Sequence, residues 1–202
     1  MMARNELKRC WIAVSLLLAG CSLPVSAPRE DVTHTLALPA RVSVRPPLPA
    51  GSTLQVVPPT AAPGYGSSAM AYRTTAHELR YFARQRWVDR PARLIQQALL
   101  DGFAAAGASL LAPGGGARPD YRLLTDLVRF EQDFTHTPSR LYLVLRVQLI
   151  DVSEHRLLGS ETLRLEQAAA SDDAAGGVAA ANALLEQAVS QVAAFCYRAA
   201  DT

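Results

Sequence analysis

Four histidines, His34, His77, His136 and His155, are the first residues to weigh for acid–base or metal chemistry. None stands at a ligand spacing from a cysteine or a second histidine, so each reads as a loop or strand-end residue. Gly64-x-Gly66-x-x-Ala69 has the spacing of a dinucleotide-binding turn. Such a turn needs a strand directly before it and a helix directly after, and Pro58, Pro59 and Pro63 break that approach. Gly114-Gly115-Gly116 lacks the Lys-Ser/Thr pair of a phosphate loop, and no Gly-x-Ser-x-Gly elbow offers a serine nucleophile. Asp172-Asp173 is explained by the start of a helix. Lys8 is the only lysine, so no amine for a Schiff base remains beyond it. These residues point away from an enzyme and from any cofactor.

The three cysteines are Cys10, Cys21 and Cys196. Arg4, Lys8 and Arg9 precede an apolar run at residues 11–18, followed by the small residues Ala19 and Gly20. That is the order of a secretory signal peptide, and the run is too short to span a bilayer. Leu18-Ala19-Gly20-Cys21 resembles the lipobox of bacterial lipoproteins, in which the cysteine thiol is acylated and becomes the new N-terminus. The resemblance makes residues 1–20 a lipoprotein signal peptide, Cys21 the lipidation site, and residues 21–33 a lipidated N-terminus with a flexible tether. Each buried CH₂ contributes about 0.8 kcal/mol, so an anchor of several acyl chains holds the protein on the membrane. Ser22, where aspartate would retain the protein at the inner membrane, implies the periplasmic face of the outer membrane. Cys196 is left without a partner in an oxidising compartment and reads as a small core residue.

The leader also explains the charge. The chain has 20 Lys+Arg and 18 Asp+Glu, and residues 1–20 hold Arg4, Lys8, Arg9 and Glu6, which leaves 17 of each. A neutral chain without a basic stripe gives no support to a nucleic-acid partner.

The elements that would position any site follow from periodicity. Residues 34–202 have the length of one domain with a full core. Residues 33–38 alternate weakly as a first strand, and residues 54–57 form a second. Residues 70–73 and 78–82 read as two short strands around a turn, the second in a basic neighbourhood of Arg80, Arg84 and Arg86 with Tyr81, Phe82 and Trp87. Pro91 opens a helix whose apolar face is Leu94, Ile95, Ala98, Leu99, Gly102, Phe103 and Ala106, stopped by Gly107. Residues 121–134 and 141–152 are strong strands, the second with Leu141, Leu143, Leu145, Val147 and Leu149 on one face. Residues 157–166 return as a third, after a short hairpin connection. Ser171-Asp-Asp173 caps a long final helix with a stripe from Val178 to Phe195, although Gly176-Gly177 weakens its first turn. The expectation is one α+β domain, a mainly antiparallel sheet with two helices packed on it.

In order along the chain, Leu54-Gln-Val-Val, Pro63-Gly-Tyr, Met70-Ala-Tyr-Arg, Glu78-Leu-Arg-Tyr-Phe, Arg86-Trp87, Pro91 and Asp120-Tyr-Arg-Leu are similar to the ABC-type transport auxiliary lipoprotein family, whose best-known members are the PqiC-like lipoproteins. The first strand departs from it by lacking an aromatic pair. The resemblance implies a non-catalytic lipoprotein that partners an MCE-domain protein and an inner-membrane permease or ABC transporter in lipid transport between two membranes. It also implies a homo-oligomeric ring. Tyr65, Met70, Tyr72 and Trp87 are the candidate partner contacts, with a place in the core as the alternative for Tyr72 and Trp87. Two other readings stay open: a lipoprotein that assembles or plugs an outer-membrane barrel of the lipopolysaccharide-export type, and a periplasmic hydrolase.

Overall fold

The computed structural model describes residues 30–38, 44–114 and 116–201. Cys21, the signal peptide and the tether up to residue 29 lie outside the described residues. Among the latter, nine strands and two helices follow the order β1 (Val32–His34), β2 (Thr53–Val56), β3 (Thr60–Ala61), β4 (Ala69–Arg73), β5 (Arg80–Trp87), α1 (Pro91–Ala105), β6 (Ser109–Leu110), β7 (Tyr121–Asp133), β8 (Arg140–Asp151), β9 (Arg156–Ala168) and α2 (Ala174–Ala200).

Strand β7 is the hub of one sheet. On one edge it pairs antiparallel with β8, and β8 pairs antiparallel with β9. Its other edge is covered in sequence by three short parallel strands: β2 opposite residues 121–123, β3 opposite 126–127 and β4 opposite 132–133. The turn residues Pro58-Pro59 and Pro63-Gly64 interrupt what would otherwise be one strand along residues 53–73. Outside them, β6 joins β2 and β1 joins β5 in parallel, while β5 returns antiparallel beside β4. The sheet is therefore mixed, with its longest ladders antiparallel.

Both helices contribute to a core against one face of this sheet. All five alternating residues from Leu141 to Leu149 are at most 4% exposed, as their period of two requires. Against them lie Leu184, Leu185, Val189 and Val192 of α2 and Ile95, Leu99 and Phe103 of α1. Burying each such side chain contributes about 1.5–3 kcal/mol. The helices meet where Gly102 leaves no room for a side chain: a Cβ there would stand within 3.0 Å of Val189. The doubtful first turn of α2 is helical for the same kind of reason. Gly177 lets the turn lie directly on Gln132, whose amide donates to the Ser139 hydroxyl and to the Asp173 carbonyl. Asp173 caps this helix by accepting from the Gly176 backbone N–H at 2.8 Å.

The first strand is shorter than its alternation predicts. Residues 35–38 leave the sheet after His34 and turn to the helices, burying Leu36. There the Ala37 N–H donates to the Asn182 side chain at 2.9 Å. The hydrophobic partners of this segment are helical, and its alternation served them instead of a sheet.

Candidate functional site

The face of the sheet away from the helices is where charged and polar side chains collect. Its composition is set by the register. Along β7, Leu123, Thr125 and Leu127 point into the core, then a bulge between Leu127 and Arg129 shifts the alternation. After it Phe130 and Gln132 face inward, and Arg129, Glu131 and Asp133 are delivered to the helix-free face. Three-strand rows follow on that face: Asp126–Arg146–Thr162, Arg129–Val144–Arg164 and Glu131–Tyr142–Glu166.

Glu131 is the centre of this arrangement, with its side chain fully buried. Its Oε1 meets Arg73 Nε at 2.5 Å and Arg129 Nε at 2.6 Å, and its Oε2 accepts from the Tyr65 hydroxyl at 2.6 Å. Tyr65 is aimed there by Gly64, whose φ of 96° and proximity to Leu79 exclude a side chain. Burial, then the bond to Glu131 and its charge, push the Tyr65 phenol well above the usual tyrosine range against the pull of Arg73 and Arg129. Asp133 takes the second bond of Arg129 at 3.3 Å and accepts from the Thr135 N–H and hydroxyl. Burial alone would raise its carboxyl, but the Thr135 bonds and the two guanidiniums outweigh that and hold it below the ordinary value.

Beside this cluster runs a shallow groove of about 600 Å³, with Val128 and Val144 among its lining and the rings of Tyr65 and Tyr142 along it. The Arg129 guanidinium lies 4.1 Å over the Tyr142 ring, a cation–π contact that fixes both. Glu166, on the rim, is held by Arg140 at 2.6 Å.

The model of the ABC-type transport auxiliary lipoprotein component family matches residues 34–193, from the end of β1 into α2. The chain belongs to this family. Membership covers the helix-free face and the groove as well as the core. The fold is shared with a Xanthomonas campestris protein of the DUF330 family, with a TM-score of 0.72 at 23% identity over 84% of this chain and 97% of that one. PelC of Paraburkholderia phytofirmans, solved as a dodecamer, is 18% identical over 74% of this chain and 94% of its own, with a TM-score of 0.46. No curated protein matches the chain.

For this family member, the four contacts expected from sequence separate into two groups. Tyr65 reaches the helix-free face and joins Glu131. Met70 and Trp87 are 4% and 3% exposed, so they offer no surface to a partner, and Trp87 stacks against Phe130 at 5.4 Å. Tyr72 is half-buried in a ring cluster with Phe82 at 4.7 Å and Phe134 at 5.8 Å. Sequence reading missed Arg73, Glu131, Arg129 and Tyr142, which come together from distant positions. The one available signal was the change from odd to even apolar positions between Leu127 and Phe130.

Among the described residues no group of three or more His, Cys, Asp or Glu could hold a metal ion, and no helix is long and apolar enough to cross a membrane. The Cys196 thiol, pushed up to about 12 by burial, is a core group and no nucleophile.

Proposed function

We propose that the protein is a lipid-anchored, non-catalytic subunit of an MCE/ABC-type system that transports lipid between the two membranes of the envelope. In this reading Cys21 carries the acyl chains, Ser22 directs the protein to the outer membrane, and residues 21–33 let the domain face the periplasm. Its partners are an MCE-domain protein and an inner-membrane permease, and several copies form a ring. The observation that carries the reading is the family match across residues 34–193; the lipobox at residues 18–21 supports the anchor.

Affinity capture of the protein from detergent-solubilised membranes tests it, with an MCE-domain protein expected in the eluate and a deletion strain expected to show altered envelope lipid permeability. Cys21→Ala is expected to leave the fold intact and abolish complementation of that strain. Capture without an MCE protein, together with unchanged permeability on deletion, would overturn the proposal; a crosslink to an outer-membrane barrel instead would move the protein to the export-type reading.

A further inference from the structure

The chain from Cys21 onward balances its charges, but the helix-free face does not. Along β4, β7, β8 and β9 the register places six arginines on it: Arg73, Arg122, Arg129, Arg140, Arg146 and Arg164. Against them stand four carboxylates, Asp126, Glu131, Asp133 and Glu166. Arg73 and Arg129 are spent on Glu131 and Asp133, and Arg140 on Glu166. Arg146 lies 4.0 Å from Asp126, and Arg122 donates to Gln55. Arg164 has no oxygen partner among the described residues and lines the groove.

Its position matters. Arg164 shares a row with Arg129, and Val144 lies between them. At about 4.8 Å between strands, the two arginine backbones stand about 10 Å apart across the groove. The groove thus offers a guanidinium with all its donors free, next to an apolar floor of Val128 and Val144. A guanidinium fork matches phosphate oxygens in pairs. A simple inorganic anion would leave the apolar floor wet, and an uncharged acyl chain would leave Arg164 unused. A zwitterionic headgroup carries its own cation to compete with Arg164, and the carboxylate of Glu166 on the rim disfavours a headgroup of higher negative charge.

We infer that this groove seats a monoanionic phospholipid, with the phosphate on Arg164 and the first methylenes of an acyl chain over Val128 and Val144. A volume of about 600 Å³ lies within the range that holds a headgroup and the start of a chain. The choice of lipid rests on the transport function proposed above, and gives this subunit direct contact with the cargo.

Native mass spectrometry of the secreted chain with Cys21→Ser, which has no acyl chains of its own, tests this with lysophosphatidylglycerol, lysophosphatidylcholine and inorganic phosphate as probes. One lysophosphatidylglycerol per chain is expected to be retained in preference to the other two. Arg164→Gln, at an exposed position, is expected to weaken retention about tenfold, the effect of one charge-assisted hydrogen bond. Arg93→Gln on α1 serves as control and is expected to change nothing. Equal retention of lysophosphatidylcholine, phosphate binding as strong as that of the lipid, or an unchanged Arg164→Gln variant would each overturn the inference. Because the readout needs no partner, lipid binding without MCE capture would remove the transport reading alone, and MCE capture without lipid binding would remove the groove alone.

Discussion

Replacing Glu131 by glutamine tests whether a buried carboxylate organises the helix-free face. The substitution keeps the shape and removes one negative charge. The amide keeps both arginine contacts by turning its oxygen to Arg73 and Arg129, which share Oε1, and this puts its nitrogen at the Tyr65 hydroxyl, whose proton it cannot accept. The Arg129 contact changes from a charge-assisted bond of about 1.5–3 kcal/mol to an ordinary one of about 0.5–1.5 kcal/mol, and the Arg73 contact loses its ion pairing. Removing one partner of a fully buried ion pair costs about 3–5 kcal/mol. Here the arginine side chains are 22% and 27% exposed, so both regain part of their hydration. The expected loss is therefore about 2–3 kcal/mol. Urea unfolding would show it as a lower midpoint at unchanged slope. A second readout is the Tyr65 phenol, which loses an acceptor and a neighbouring negative charge. It is expected to ionise at lower pH in the variant, as read by ultraviolet titration. A loss below about 0.5 kcal/mol would mean that solvent already screens these pairs, and the reasoning about Glu131 would be wrong.

Two further substitutions probe the seam between sheet and final helix. Gly177→Ala should gain about 1 kcal/mol in helix propensity. It should nevertheless destabilise the protein by about 1–2 kcal/mol, because the new Cβ meets Gln132, which is pinned by two hydrogen bonds; a more stable variant in urea unfolding would show that Gln132 is free to move. Asp173→Ala removes the cap of α2. The bonds from the Gly176 N–H and the Ser171 hydroxyl hold the Asp173 carboxyl below its ordinary value, so its stabilisation is present above the unfolded pKa and is lost as the pH falls through the lower folded one. Thermal unfolding should therefore separate wild type from variant at pH 7, with the gap shrinking as the pH falls below the ordinary aspartate range; a gap that does not change with pH would refute the cap.

The parts of the fold legible in the sequence were those governed by local periodicity. Leu141 to Leu149 alternate without interruption, and β8 forms where they do. Pro91 and Gly107 bracket α1 because the first tolerates a missing N–H and the second adopts a φ of 84°. Strands β3 and β6 have two residues each and exist only because the neighbouring strand supplies partners, so no local pattern marks them. The parallel pairings along β7 were illegible for the same reason. Gly176 and Gly177 weaken a helix in isolation, and only the position of Ser171 and Gln132 explains them. At the site, the Pro63-Gly64 turn marked Tyr65, but its acceptor lies 66 residues later. A single bulge decided which charges reach the surface, and its effect depends on register.

The placement of β7 also dictates an order of assembly. During synthesis the residues before 121 emerge first, yet β2, β3 and β4 all pair with β7. Within the first half β1, β5 and β4 can pair, as can β2 and β6, but β2, β3 and β4 have no common template until residue 133 is out. The last third is different, since β7, β8, β9 and α2 are sequential neighbours with short connections and low contact order. The sheet is thus completed from β7 backwards: a chain truncated before β7 would leave β2, β3 and β4 without their common partner, and one truncated before α2 would pair them but uncover the apolar face that Leu184, Leu185, Val189 and Val192 close.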